Sequence, residues 1–139
     1  MADIKFQTQT AALRTTVGTQ DVTIAGFGTP KAAIVYLTSS DADGVVKSPA
    51  SFGMSFFDGI NLESKLIVMD DASASSNTGR RGSTTAIALE SSPATILVAL
   101  NTLSFITDGL RFTAAVAPPT GVLVNVILIG GADVANVTA

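Results

Sequence analysis

The chain has 139 residues, a net charge of −3, 47% hydrophobic residues and only 14% charged ones, against the roughly 25% charged that is usual in soluble domains. Its eight Lys and Arg form no basic stripe, which argues against a nucleic-acid partner, and no apolar run is long enough for a membrane-spanning helix. His and Cys are both missing, which excludes Ser-His-Asp and Cys-His triads, disulfides, and the usual zinc and iron sites.

Mean hydropathy is +0.48. So little charge beside so much apolar content predicts surface buried against other subunits. The alternative is a thick two-sheet core under a Ser/Thr-rich surface. The first ten residues show no basic segment followed by an apolar one, so no secretory signal is read there.

Residues 1–20 read as an N-terminal strand or arm, and residues 21–139 as a β-sandwich, the whole being a single domain. Ile4, Phe6, Thr8 and Thr10 alternate with polar partners, as a half-buried strand requires. The segment FQTQTAALRTTVGTQ is either an ordinary first strand and loop or an arm that pairs with a neighbour's sheet edge. Strands are predicted next at 21–26 and 31–38. Between them Gly26 and Gly28 give a G-x-G spacing that superficially suggests a phosphate cradle. Such a cradle needs a following helix whose amides hold the phosphate, whereas "AAIVYLT" has strand composition, so the glycines mark a bend. Asp41-Ala42-Asp43-Gly44 is a turn.

Further strands are predicted at 51–57 and 63–69, joined by an Asp58-Gly59 corner. Asp70 to Ser83 reads as a mobile polar loop, with Arg80 and Arg81 at its tip as a candidate contact for carboxylates on a partner. Strands follow at 84–90, 95–101, 103–107, 110–116 and 121–130, with turns at Asp108-Gly109 and Pro118-Pro119-Thr120-Gly121. "PATILVALNTL" is assigned to strand on its β-branched content. Each Asp-Gly pair is the preferred composition of a type I′ hairpin turn. Phe52, Phe56, Phe105, Phe112, Val124, Val126 and Leu128 are expected to line the sandwich interior or a subunit interface, and Tyr36 to lie in a buried strand.

Ten short strands at regular spacing predict an all-β sandwich or barrel. Catalysis would have to come from carboxylates such as Asp58, Glu63, Asp70, Asp71 and Asp108, of which Asp58 and Asp108 are explained by turns. Asp41, Asp43, Asp70 and Asp71 are the candidate Ca²⁺ ligands, though no complete EF-hand loop surrounds them. Asn136-Val137-Thr138 matches a glycosylation sequon, discounted without a secretory signal. The expectation is therefore a non-enzymatic protein with no catalytic, metal or cofactor site.

Three stretches in order, "VTIAGFGTPKAAIVYLTSS", "ASFGMSFFDG" and "SFITDGLRFTAAVAPPTGVLVNVILIGGADV", resemble a family of bacteriophage virion structural proteins over roughly residues 5 to 134. The resemblance implies an antiparallel β-sandwich of jelly-roll or H-type-lectin-like character, assembled as trimers on the particle surface. A single small apolar domain without fibrous repeats then suggests a capsid decoration, or cement, protein. Its partners would be itself, as a homotrimer, and the major capsid protein or another virion protein. It would be made in the host cytoplasm. The competing expectation is a tail-fibre, receptor-binding or carbohydrate-binding module, against which stand the lack of Trp and the single Tyr.

Overall fold

The computed structural model describes residues 3–45, 50–70, 77–92, 95–134 and 137–138. Among them are ten strands and no helix: β1 (Lys5–Ala12), β2 (Gly18–Thr23), β3 (Ala32–Thr38), β4 (Ala50–Phe57), β5 (Leu62–Asp70), β6 (Asn77–Ser83), β7 (Ile87–Ser92), β8 (Thr95–Ile106), β9 (Gly109–Val116) and β10 (Leu123–Gly130). One sheet has six strands in the order β1-β10-β3-β4-β5-β6, the other four in the order β2-β9-β8-β7. The pairings are antiparallel. The protein is an all-β antiparallel sandwich.

The first two strands pair with the last two, β1 with β10 in one sheet and β2 with β9 in the other. From β3 to β6 the chain runs as a simple meander. The period-2 pattern sets which side chains meet between the sheets. Val35 and Leu37 of β3 and Val124, Val126 and Leu128 of β10 join Ile87, Leu89, Val98, Leu100, Leu110 and Phe112 of the smaller sheet in one buried cluster. Each such side chain contributes about 1.5–3 kcal/mol by leaving water.

Residues 5–12 pair along their length with β10 of the same chain. The corner that follows is pinned by side chains: the Gln20 amide accepts from Arg14 N at 2.9 Å and donates to Ala12 O at 2.9 Å. The arm is thus the edge strand of its own sheet.

Several details depart from the sequence reading. The predicted strands 95–101 and 103–107 are one strand, β8, carrying an irregularity between Asn101 and Ser104 where Thr102 takes φ 51°. The bulge bends the strand without ending it. Part of the predicted 70–83 loop is strand β6, which has no apolar residue and pairs with β5 through its backbone. The remainder, residues 71–76, lies outside the described residues.

The Asp108 hairpin has Thr107 and Asp108 as its two turn residues, with Ile106 opposite Gly109. Of these two only Asp108 has positive φ, so the turn is not type I′, which needs positive φ at both. Asp58 opens a four-residue loop, since Phe57 pairs with Leu62. Its carboxylate accepts from Ile60 N at 2.9 Å and Asn61 N at 2.6 Å.

On β4 the structure excludes the first of the two expected placements. Ser51, Gly53, Ser55 and Phe57 face the interior, while Phe52, Met54 and Phe56 face outward. Phe52 and Phe56 are therefore not in the sandwich interior, where Phe112, Val124, Val126 and Leu128 are found as expected. Phe105 is half-buried against the core, its ring 5.0 Å from that of Phe57. The reason for the inversion is close approach. β7 lies so near β4 that a Cβ on Gly53 would stand 2.7 Å from the Ala88 carbonyl oxygen. Ser51 Oγ accepts from Glu90 N at 3.3 Å, and Ser55 Oγ bonds Ser64 Oγ at 3.0 Å. Only small side chains fit there.

Candidate functional site

Residues directly opposite one another in a sheet share a face, so the register defines what the six-stranded sheet turns outward. The set is largely apolar across β10, β3, β4 and β5, interrupted by Asn125, whose Oδ1 accepts from Thr10 Oγ1 at 2.6 Å, and by Thr8 and Thr10 on β1. β10 contributes Leu123, Ile127 and Ile129, and β3 contributes Ile34 and Tyr36, all half-buried. Tyr36 is thus on the outer face, its ring centroid 6.4 Å from that of Phe52. On β4 Phe52 is 44% and Met54 51% exposed; on β5 Ile67, opposite Phe52, is 48% and Met69, opposite Ala50, 53% exposed, while Lys65 stands opposite Met54. At the β1 edge Phe6 is 65% exposed beside Ile129.

Charge on this face is sparse and self-cancelling. Lys65 Nζ donates to Glu63 Oε2 at 3.0 Å within β5, and Arg80 stands at the β6 edge opposite Ile67. Two shallow depressions lie along it. One of about 380 Å³ is bordered by Thr38, Phe52, Ile67 and Met69, and one of about 260 Å³ by Ile34, Met54, Phe56, Glu63 and Lys65. Neither gathers convergent polar groups of the kind that orient a small ligand.

The other outer surface is different in kind. On the four-stranded sheet Thr19, Asp21 and Thr23 of β2 stand beside Thr113, Arg111 and Gly109 of β9. Arg111 holds Asp21 in a two-point ion pair, Nε to Oδ1 at 2.7 Å and Nη2 to Oδ2 at 2.8 Å. The hydrogen bond from Arg111 holds the Asp21 carboxyl below its ordinary range, and Asp21 in turn raises the guanidinium pKa.

The candidate side chains from the sequence are scattered. Arg80 and Arg81 are neighbours on edge strand β6, not at a loop tip, and consecutive strand residues point to opposite faces. Arg80 faces outward, whereas Arg81 Nη1 donates to Oε1 of the buried Glu90 at 3.0 Å. The two guanidiniums are not brought together. Asp58 and Asp108 are engaged in their turns, Glu63 pairs with Lys65, and Asp71 lies outside the described residues, as does Asn136. Asp41 and Asp43 sit on the β3–β4 connection. Among the described residues no three acidic side chains gather into a metal-binding group.

The G-x-G bend has an occupant of its own. Gly26 and Gly28 take φ 78° and 88°, turning amides toward the β8–β9 hairpin. Gly28 N donates to Asp108 Oδ1 at 2.6 Å, Asp108 N donates to Gly28 O at 2.8 Å, and Ile24 N donates to Asp108 O at 2.7 Å. Amide donation from Gly28, then Gly26, holds the Asp108 carboxyl below its ordinary value. An internal carboxylate fills the place a phosphate would take.

Composition predicts apolar surface beyond the core but does not say which strands carry it, although a signal for them is present. β3, β5 and β10 carry apolar residues at both alternating sets of positions: "AAIVYL", "LIVM" and "LVNVILI". Such strands lack the clean apolar-in, polar-out alternation of an antiparallel sheet with one solvated face. No protein-family model matches the chain, and no curated protein or solved structure is significantly similar to it.

Proposed function

We propose that the protein is a structural component of a bacteriophage particle, a decoration or cement protein that binds the capsid shell as a homo-oligomer, with a trimer as the expected state. The observation that carries the reading is the broad apolar outer face of the six-stranded sheet, on a chain that lacks His and Cys. A surface of this kind suits permanent association better than turnover. Exposed apolar patches of several hundred Å² are characteristic of association sites. The order of the GFGTPKA, FFDG and closing "VLVNVILIGG" segments supports the phage assignment as a resemblance. The protein would work at the particle surface, without a cofactor, after synthesis in the host cytoplasm. Many weak contacts repeated over a shell would raise its resistance to rupture through mass action and avidity.

The test uses particles assembled with and without the protein. Particles lacking it should form but burst at lower temperature or under milder osmotic shock, and adding it back should restore resistance with saturable, fixed stoichiometry. Localisation to the tail, or binding to host polysaccharide with a capsid indifferent to its loss, would overturn the reading in favour of a receptor-binding module.

A further inference from the structure

We infer that the outer face of the six-stranded sheet is where this chain meets further copies of itself. The inference deepens the proposed function and rests on its premise of a homo-oligomer, but it does not depend on the shell.

Three observations support a second copy as the occupant. The first is area. The four apolar strands β10-β3-β4-β5, spaced about 4.8 Å apart and about seven residues long at about 3.3 Å each, present roughly 440 Å² in projection. That is the several hundred Å² over which an exposed apolar patch marks an association site.

The second is charge. Glu63 and Lys65 neutralise each other at 3.0 Å and Arg80 stands at the rim. Beside the Lys65–Glu63 pair, which borders Ile34 and Met54, the side chains of Ile34, Phe52, Met54 and Ile67 present an uncharged surface with no net charge to repel an identical face. On the four-stranded sheet the β2–β9 pair turns Asp21, Arg111, Thr19, Thr23 and Thr113 to one face, a polar surface by contrast.

The third is dimension. Packed sheets lie about 10 Å apart, so each supplies about 5 Å of side chain. If the four apolar strands β10-β3-β4-β5, about 19 Å across, form each wall of a three-sided prism, each wall stands roughly 5–6 Å from the axis. Three copies turned to a common axis would fill that space with their own Phe, Met, Ile and Tyr side chains.

The experiment is sedimentation velocity on the full chain at micromolar concentration, comparing wild type, Met54→Lys/Ile67→Lys and Thr113→Lys. Both Lys substitutions in the first variant sit at positions about half exposed in the single chain, and circular dichroism checks that the sheet content is kept. Wild type and Thr113→Lys should sediment as trimers of the 14.1 kDa chain, while the double variant should dissociate at least about a hundredfold more readily, because two unpaired charges would be buried. A second readout needs no variant. Peroxide should oxidise Met54 and Met69 at least about fivefold more slowly in the assembled protein than on dilution to single chains, since sulfoxide formation follows exposure.

A dimer broken by the same substitutions also supports the inference, with two faces stacked in place of three. A wild type that is monomeric at tens of micromolar overturns it, as does an oligomer whose mass the folded double variant leaves unchanged or whose Met54 and Met69 oxidise at the single-chain rate. An oligomer broken by the double variant but indifferent to the shell supports this inference while removing the proposed function.

Discussion

Gly53→Ala is the most discriminating single change, because the structure fixes its sign as well as its size. In an open strand the substitution would stabilise, since glycine costs roughly 0.5–1 kcal/mol relative to alanine in a strand interior. Here the added Cβ would stand 2.7 Å from the Ala88 carbonyl oxygen and 3.7 Å from Leu89 Cδ2. The first distance is well inside van der Waals contact and the second is ordinary. Relief requires β7 to move as a unit away from β4, because the obstacle is backbone. Overpacking of this kind costs about 1–3 kcal/mol, and about 2 kcal/mol is expected. With a urea m-value near 2 kcal/mol/M that lowers the unfolding midpoint by about 1 M. The measurement is urea unfolding at one fixed protein concentration, since association would otherwise shift the midpoint. Ile60→Ala, at a side chain 89% exposed, is the control and should stay within about 0.5 kcal/mol. A neutral or stabilising Gly53→Ala would refute the close approach of β7, and with it the explanation for the outward-facing phenylalanines.

Asp108→Asn should weaken the link between the glycine bend and the β8–β9 hairpin. The folded carboxyl titrates below its ordinary 3.8, so its contribution is fully present above that value and is lost as pH falls through the lower folded pKa. Wild type should exceed the variant in stability at neutral pH, and the gap should close on acidification below about pH 4; a pH-independent gap would contradict the assignment. Arg81→Met takes a charge partner from the buried Glu90 carboxylate and should cost about 1–2 kcal/mol, discounted because Arg81 is itself half exposed. In a Glu90→Gln background the same change should cost less than half as much, which a double-mutant cycle by urea unfolding measures.

Strand positions were largely legible because alternation is a local signal, and β3, β9 and β10 follow it closely. The face was harder. Alternation sets which residues of β4 go together but not which set goes in. Hydrophobicity leaves Phe52 and Phe56 in the core or at an interface, and the close approach of β7 to Ser51 and Gly53 turns them outward. That approach is tertiary information. β6 was read as loop because NTGRRGS has no side chain that packs; it is strand through its pairing with β5. The merging of two predicted strands into β8 turns on one residue, Thr102, whose positive φ belongs to a bulge and not to a turn. That apolar surface lies outside the core is legible from composition; its place on the six-stranded sheet follows from the strands apolar on both sides.

The place of β10 has a consequence for biosynthesis. It lies between β1 and β3, so the strand that closes the larger sheet leaves the ribosome after all its neighbours. At roughly 5–20 residues added per second, roughly 6–25 s separate the emergence of β1 from that of β10. For that interval β1 is without its partner and β3 has one open edge, on a nascent chain rich in apolar strands. On a polysome the β10 of one chain can meet the vacancy in the next, and the result is a pair of subunits that have exchanged their last strand. Slowing translation over residues 110–130 should therefore increase the fraction of strand-exchanged species, which limited dilution would not dissociate.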